Sequence, residues 1–107
     1  MADFNIKKGD RLPSITATLY TSDGVTNLAT ATGVTFAMKL ASGTGSVVTG
    51  ACTITDAVGG VVRYDWGASD TSVAGLYNAE FVINFSGRDE TFPNDGFITI
   101  DVQADVS

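Results

Sequence analysis

The residues best placed to do chemistry lie near the C-terminus. The stretch RDETFPNDGFITI, residues 88–100, gathers Asp89, Glu90 and Asp95 around a proline and a glycine, with Asp101 just beyond; these are four of the chain's twelve acids. Carboxylates at such spacing suggest two chemistries. A calcium loop needs oxygen ligands at alternating positions, a glycine at the bend and a later bidentate glutamate. Here Thr91 and Pro93 fall where ligands belong, so the pattern fails. A pair of carboxylates can cleave glycosides, but one of them needs an apolar pocket to raise its pKa, and nothing in the local sequence supplies one. The remaining reading is a hairpin connection. Residues 90–92 end one strand, Pro93 stops pairing for want of an N–H, Asn94-Asp95-Gly96 turns, and Phe97 opens the last strand.

Other chemistries are narrowed by what the sequence lacks. With no histidine, the chain has no Ser-His-Asp or Cys-His triad, no imidazole metal ligand and no ordinary general base near neutral pH. Its one cysteine cannot close an intrachain disulfide or build a cysteine-rich zinc site. Cys52 shares its alternation phase with Ile54 and reads as a small buried hydrophobe. The glycines of ASGTGSVVTG lack the Lys-Ser/Thr ending of a phosphate loop and read as a hairpin tip. The sequence calls for no cofactor and no metal, and the expectation is a protein that is not an enzyme.

Positioning elements follow from period-two patterning. Val34, Phe36, Met38 and Leu40 alternate with Thr35, Ala37 and Lys39, and Tyr77, Ala79, Phe81, Ile83 and Phe85 alternate with Asn78, Glu80, Val82 and Asn84. Each series is a half-buried strand, and these two are expected at the centre of the fold. Shorter alternations occur at 15–19, 62–66 and 98–102, with a weaker strand over about 47–54. Turn chemistry separates them at 22–24, 41–46, 58–60, 86–87 and 93–96. A single helical turn over 68–75, capped by Ser69 or Asp70, is the one expected departure from strand.

Seven or eight short strands in 107 residues predict an all-β fold, an antiparallel immunoglobulin-like β-sandwich, in a single domain over 1–107 with a short N-terminal arm, 1–10. A closed barrel fits the same alternation. The run DTSVAGLYNAEF leads an acidic loop into Tyr77 at the start of a long strand, the arrangement of a tyrosine corner.

The net charge of −6, with basic residues scattered apart from Lys7-Lys8, predicts no nucleic-acid partner. No apolar run approaches a membrane span, and the N-terminus is not ordered like a signal peptide, so no membrane association is expected and synthesis in a cytoplasm is.

Three motifs together resemble the N-terminal immunoglobulin-like domain of the phage baseplate upper protein family. They are Gly9-Asp10 with Leu12-Pro13, VVRYDW followed by an Asp-Thr and Gly-x-Tyr loop, and ETFPNDG before the last strand. The resemblance runs from about Ile6 to Val102. It implies a non-enzymatic structural virion protein of a tailed phage, made in the host cytoplasm, that assembles or adapts parts of the tail or baseplate. It transfers no catalytic or binding residues. Longer members carry receptor-binding components on further segments, whereas this sequence ends at Ser107. A capsid decoration or neck accessory protein is therefore an alternative.

The implied partners are other virion structural proteins, in a homo-oligomer or symmetric array. The candidate assembly contacts are Phe4, Ile6 and Phe97: the first two are apolar residues set apart from the core pattern by Lys7-Lys8-Gly9-Asp10, the third opens the last strand. The strands expected to be outer carry few edge guards, one lysine in 31–40 and Asp56 after 51–55. A carbohydrate-binding adhesion module is the other alternative, because Tyr20, Phe92 and Phe97 fall at or near strand ends.

Overall fold

The computed structural model describes residues 3–21, 24–43, 47–67, 69–93 and 96–104. The described residues are all β, with no helix. The strands are β1 (Phe4–Lys7), β2 (Ile15–Thr18), β3 (Tyr20–Thr21), β4 (Gly24–Val25), β5 (Gly33–Leu40), β6 (Val48–Ala51), β7 (Thr53–Asp56), β8 (Val61–Tyr64), β9 (Gly75–Phe85), β10 (Arg88–Phe92) and β11 (Ile98–Gln103). A six-stranded sheet has the order β1-β11-β9-β5-β6, with β10 also on β9; a three-stranded sheet has the order β2-β8-β7, and β3-β4 form a small ribbon.

The two long alternations become the middle of the large sheet. In antiparallel register Val34 faces Ile83, Phe36 faces Phe81 and Met38 faces Ala79, so both inward rows lie on one face. Opposite them the small sheet contributes Ile15, Val62 and Tyr64, and all of these side chains are buried in one core. Phe36 joins the layers. Its ring stacks on Tyr64 at 4.5 Å and meets Trp66 and Phe81 edge-on at 5.6 and 5.3 Å. With β5 paired to β9 on one side and β6 on the other, the 33–40 strand is no outer strand.

The stretch expected as one strand over 47–54 is two. Alternation of half-buried and exposed residues runs unbroken through it, but the partner changes. Residues 48–51 pair with β5, Cys52 N still donates to Val34 O at 2.8 Å, and from Thr53 the chain pairs with β8 in the other sheet. Cys52 is half-buried at this crossing. Burial, partly offset by a backbone hydrogen bond at Phe36, pushes its thiol up to about 12, so no thiolate forms near neutral pH. Gly50 is required just before it: a Cβ there would lie 2.6 Å from Tyr64 Cε1.

The connection at 93–97 is not a hairpin. From Phe92, opposite Phe81, to Ile98, opposite Ala79, the chain advances six residues while β9 advances two, so four residues are extruded. Thus β10 and β11 are one interrupted strand on the same edge of β9, and the turn chemistry of this stretch serves a bulge. Asn94 and Asp95 lie outside the described residues. The true hairpin is at Ser86-Gly87, where both residues have positive φ (41° and 96°), as a two-residue type I′ turn requires.

The helical turn expected over 68–75 is absent among its described residues. Instead Asp70 N and Ser72 N close turns onto Gly67 O and Ser69 O at 3.3 and 3.2 Å. The Asp70 carboxylate accepts from Gly67 N at 2.7 Å and from the buried Tyr64 hydroxyl.

The corner at Tyr77 forms as the sequence suggests. Its hydroxyl donates to Val73 O at 2.7 Å, and burial raises its pKa. Tyr77→Phe is expected to cost about 1 kcal/mol, because the freed carbonyl sits on an exposed loop and can bond water instead. The denaturant midpoint should fall with an unchanged m-value; an unshifted midpoint would show the bond contributes nothing net.

Candidate functional site

The acidic residues of 88–101 do not converge. Asp89 faces Asn84 and Asp101 faces Leu76, eight residues apart along β9, which is about 26 Å of strand. Asp89 accepts a hydrogen bond from Asn84 Nδ2 at 2.9 Å. Elsewhere, hydrogen bonding by the Ser14 hydroxyl chiefly holds the exposed Asp65 carboxyl below its usual range, opposite to what a general acid needs. Among the described residues no three His, Cys, Asp or Glu side chains could together hold a metal ion.

What does converge is aromatic. β1 runs parallel to β11, from Phe4 against Ile100 to Lys7 against Gln103, and therefore covers only the lower half of that edge. Asp3 pins its start: its N–H donates to Thr99 O, and its carboxylate accepts from Thr99 N, both at 2.9 Å. Above this point β10 has no strand outside it among the described residues. The resulting gap, bounded by β2 of the small sheet, is a cleft of about 380 Å³ lined by Phe4, Ile15, Tyr20, Phe92, Phe97 and Ile98, among others. Tyr20 and Phe92 meet at 5.5 Å with their planes tilted by 60°. Phe97 is 58% exposed. It also borders a groove of about 320 Å³ on the outer face of the large sheet, with Ala37, Lys39, Val47 and Glu80.

The three candidate contacts thus fall in three environments. Phe97 is open. Phe4 is half-buried and tilts against Trp66 at 5.9 Å. Ile6 corrects the expectation that the arm stands apart from the core: it is only 4% exposed and belongs to the core cluster, because parallel pairing with β11 sets it beside Val102. The signal was present in Phe4-Asn5-Ile6-Lys7, a two-residue alternation, though too short to stand out. Tyr20 and Phe92, read only as strand-end aromatics, join Phe4 and Phe97 through topology alone.

The motif at 9–13 is also accounted for. Gly9 N donates to Thr71 O at 2.9 Å and the buried Thr71 hydroxyl donates to Asp10 O at 2.8 Å. Arg11 Nε donates to Trp66 O at 3.1 Å, and Trp66 Nε1 to Pro13 O at 3.0 Å. The first two sequence motifs are one structural unit, which ties the N-terminal segment to the loop before β9.

A family model for the BppU N-terminal domain, the N-terminal domain of the baseplate upper protein, matches residues 2–105. The chain belongs to this family. The match takes in β1 as well as the bulge at 93–97, so both are part of the BppU N-terminal domain here. Membership carries a structural role in the phage baseplate. No curated protein matches the chain. Among the described residues no helix is long and apolar enough to cross a membrane.

Proposed function

We propose that this BppU N-terminal domain is a non-enzymatic assembly module, an immunoglobulin-like sandwich that docks on neighbouring virion proteins of the baseplate region through its aromatic cleft. The Tyr77 corner and the two facing sheets support the immunoglobulin-like assignment. The observation that carries the docking role is the gathering of Phe4, Tyr20, Phe92 and Phe97 at one unclosed side of the sheets. Exposed aromatics beside a well-formed pocket are the usual anchors of protein interfaces, and they need no cofactor. A sugar platform would favour open, coplanar rings. The 60° tilt between Tyr20 and Phe92, and the half-burial of Phe92, count against it.

Phe97→Ser tests this. Complementing a phage that lacks the gene, the variant is expected to be incorporated into particles at least tenfold less well than the parent, since an aromatic anchor contributes roughly 2 kcal/mol or more. Val58→Ser, a change at a 71% exposed residue in the β7–β8 turn, should have no effect. Equal incorporation of Phe97→Ser and parent, with both folded by thermal melt, would remove the cleft from the interface.

A further inference from the structure

Strand edges expose unpaired backbone donors and acceptors, and proteins that stay single block them with charge, proline or bulges. The edges of this chain are guarded unequally. β1 carries Lys7, and β10 carries Arg88, Asp89 and Glu90 in succession. β7 has a register break between Ile54 and Asp56. β2 is uncharged, but it borders the cleft that Tyr20 and Phe92 line. The remaining edge of the large sheet is β6, Val-Thr-Gly-Ala. It has no charge and no proline, pairs with β5 in unbroken register from Thr35–Ala51 to Met38–Val48, and follows Val47, which is 52% exposed. Among the described residues no strand lies outside it.

We propose that the β6 edge pairs antiparallel with the β6 edge of a second copy of this chain, across a two-fold axis normal to the sheet at Thr49. The geometry is restrictive. A two-fold normal to a sheet keeps each side chain on its own face, so opposed residue numbers must sum to an even value. With Thr49 on the axis the sum is 98. Thr49 faces the second copy's Thr49, Val47 faces its Ala51, and Val48 faces its Gly50.

Moving the axis to Gly50 would put Val47 opposite Thr53, which has already left for the other sheet to pair with Arg63. The chosen register covers the exposed valine and opposes two threonines, a favourable cross-strand pair. The same construction on β10 fails: an axis at Arg88, Asp89 or Glu90 sets like charges directly against each other, and an axis at Thr91 or Phe92 draws Pro93, which lacks an N–H, into the pairing. Two six-stranded sheets would join into one.

The contact is small, so the dimer is weak in free solution and is reinforced where other virion contacts hold copies together. Both copies carry a net charge of −6, so added salt should strengthen the dimer by screening their repulsion. β6 is not part of the cleft, and Phe97, although it borders a groove with Val47, is not among the paired residues, so Phe97→Ser leaves the strand register intact.

Sedimentation equilibrium on the full chain at rising concentration tests the proposal. The expected result is a mass that climbs from 11.1 kDa toward twice that value and climbs further with salt. Thr49→Lys, at an exposed site, should hold the chain at monomer mass with an unchanged melt, because it sets like charges on the axis. In a Cys52→Ala background, Thr49→Cys should cross-link to a dimer on mild oxidation, since opposed residues of an antiparallel pair have Cα atoms about 4.5–5.5 Å apart, inside the span of a disulfide. Val58→Cys in the same background should not. A monomer at every concentration up to about 1 mM, a range that reaches very weak complexes, would overturn the proposal. So would an open series of larger species, a dimer that survives Thr49→Lys, or a Thr49→Cys dimer that does not cross-link.

Discussion

Phe36→Ala is expected to lower the unfolding free energy by on the order of 3–5 kcal/mol, the range for removing a fully buried aromatic ring and leaving a cavity. The site is at the severe end for two reasons. Phe36 has no solvent exposure, and its ring is the common neighbour of Tyr64, Trp66 and Phe81, which come from both sheets and the loop after β8. Collapse cannot refill the space, because the backbones on either side are held by strand pairing. The stacked Tyr64 ring then loses a partner while its hydroxyl stays tied to Asp70, so it is not free to swing inward.

A small domain has only about 5–15 kcal/mol in total, and the variant should be partly unfolded at moderate temperature. Urea melts followed by tryptophan fluorescence would read both the loss and the changed surroundings of Trp66. Phe81→Ala should fall in the same range. A loss under about 1 kcal/mol for either would contradict a core built on this cluster. The Phe36 and Tyr64 changes should also be non-additive, by about 0.5–1.5 kcal/mol for a contacting aromatic pair.

That cluster was legible in the sequence because its residues sit on long alternations. Phe36 and Phe81 each have apolar neighbours two residues away on both sides, and only an inward face explains such a run. Tyr77 and the Ser86-Gly87 turn were legible for the same kind of reason, local chemistry that determines local geometry. The misread stretches share a different cause. In 47–54 the alternation never breaks, so nothing local records that Thr53 pairs with Arg63 while Thr49 pairs with Ala37. In 93–97, proline, asparagine and glycine suit a bulge and a hairpin equally, and only register against β9 distinguishes them. The cleft was illegible for a stronger reason. Phe4, Tyr20 and Phe92 come from three separate strands and Phe97 from the connection before β11, and they meet because β1 stops short of β10.

The N-terminal segment carries the last and sharpest consequence. Read as a free arm, residues 1–6 could be deleted without loss of fold, and any failure of such a variant to assemble would be assigned to a lost contact. With β1 built into the sheet the expected outcome reverses. Deletion removes the buried Ile6 side chain, worth about 1.5–3 kcal/mol of apolar transfer. It also removes half-buried Phe4 and the paired backbone along β11, whose hydrogen bonds contribute about 0.5–1.5 kcal/mol each.

The sum is on the order of 4–6 kcal/mol, a large part of the roughly 5–15 kcal/mol of a small domain and enough to unfold one at the low end of that range. It also bares the buried Ile100 and Val102 side chains along a newly open edge, so aggregation should accompany the loss. The deleted chain should therefore melt far below the parent or fail to purify as a monomer, as calorimetry and light scattering would show. Parent-like melting would mean that β1 adds little to the fold, and would return Phe4 and Ile6 to the surface as contacts. Docking has to be probed instead by point changes that spare the strand. Phe97→Ser at the exposed rim of the cleft is such a change; truncation confounds docking with folding.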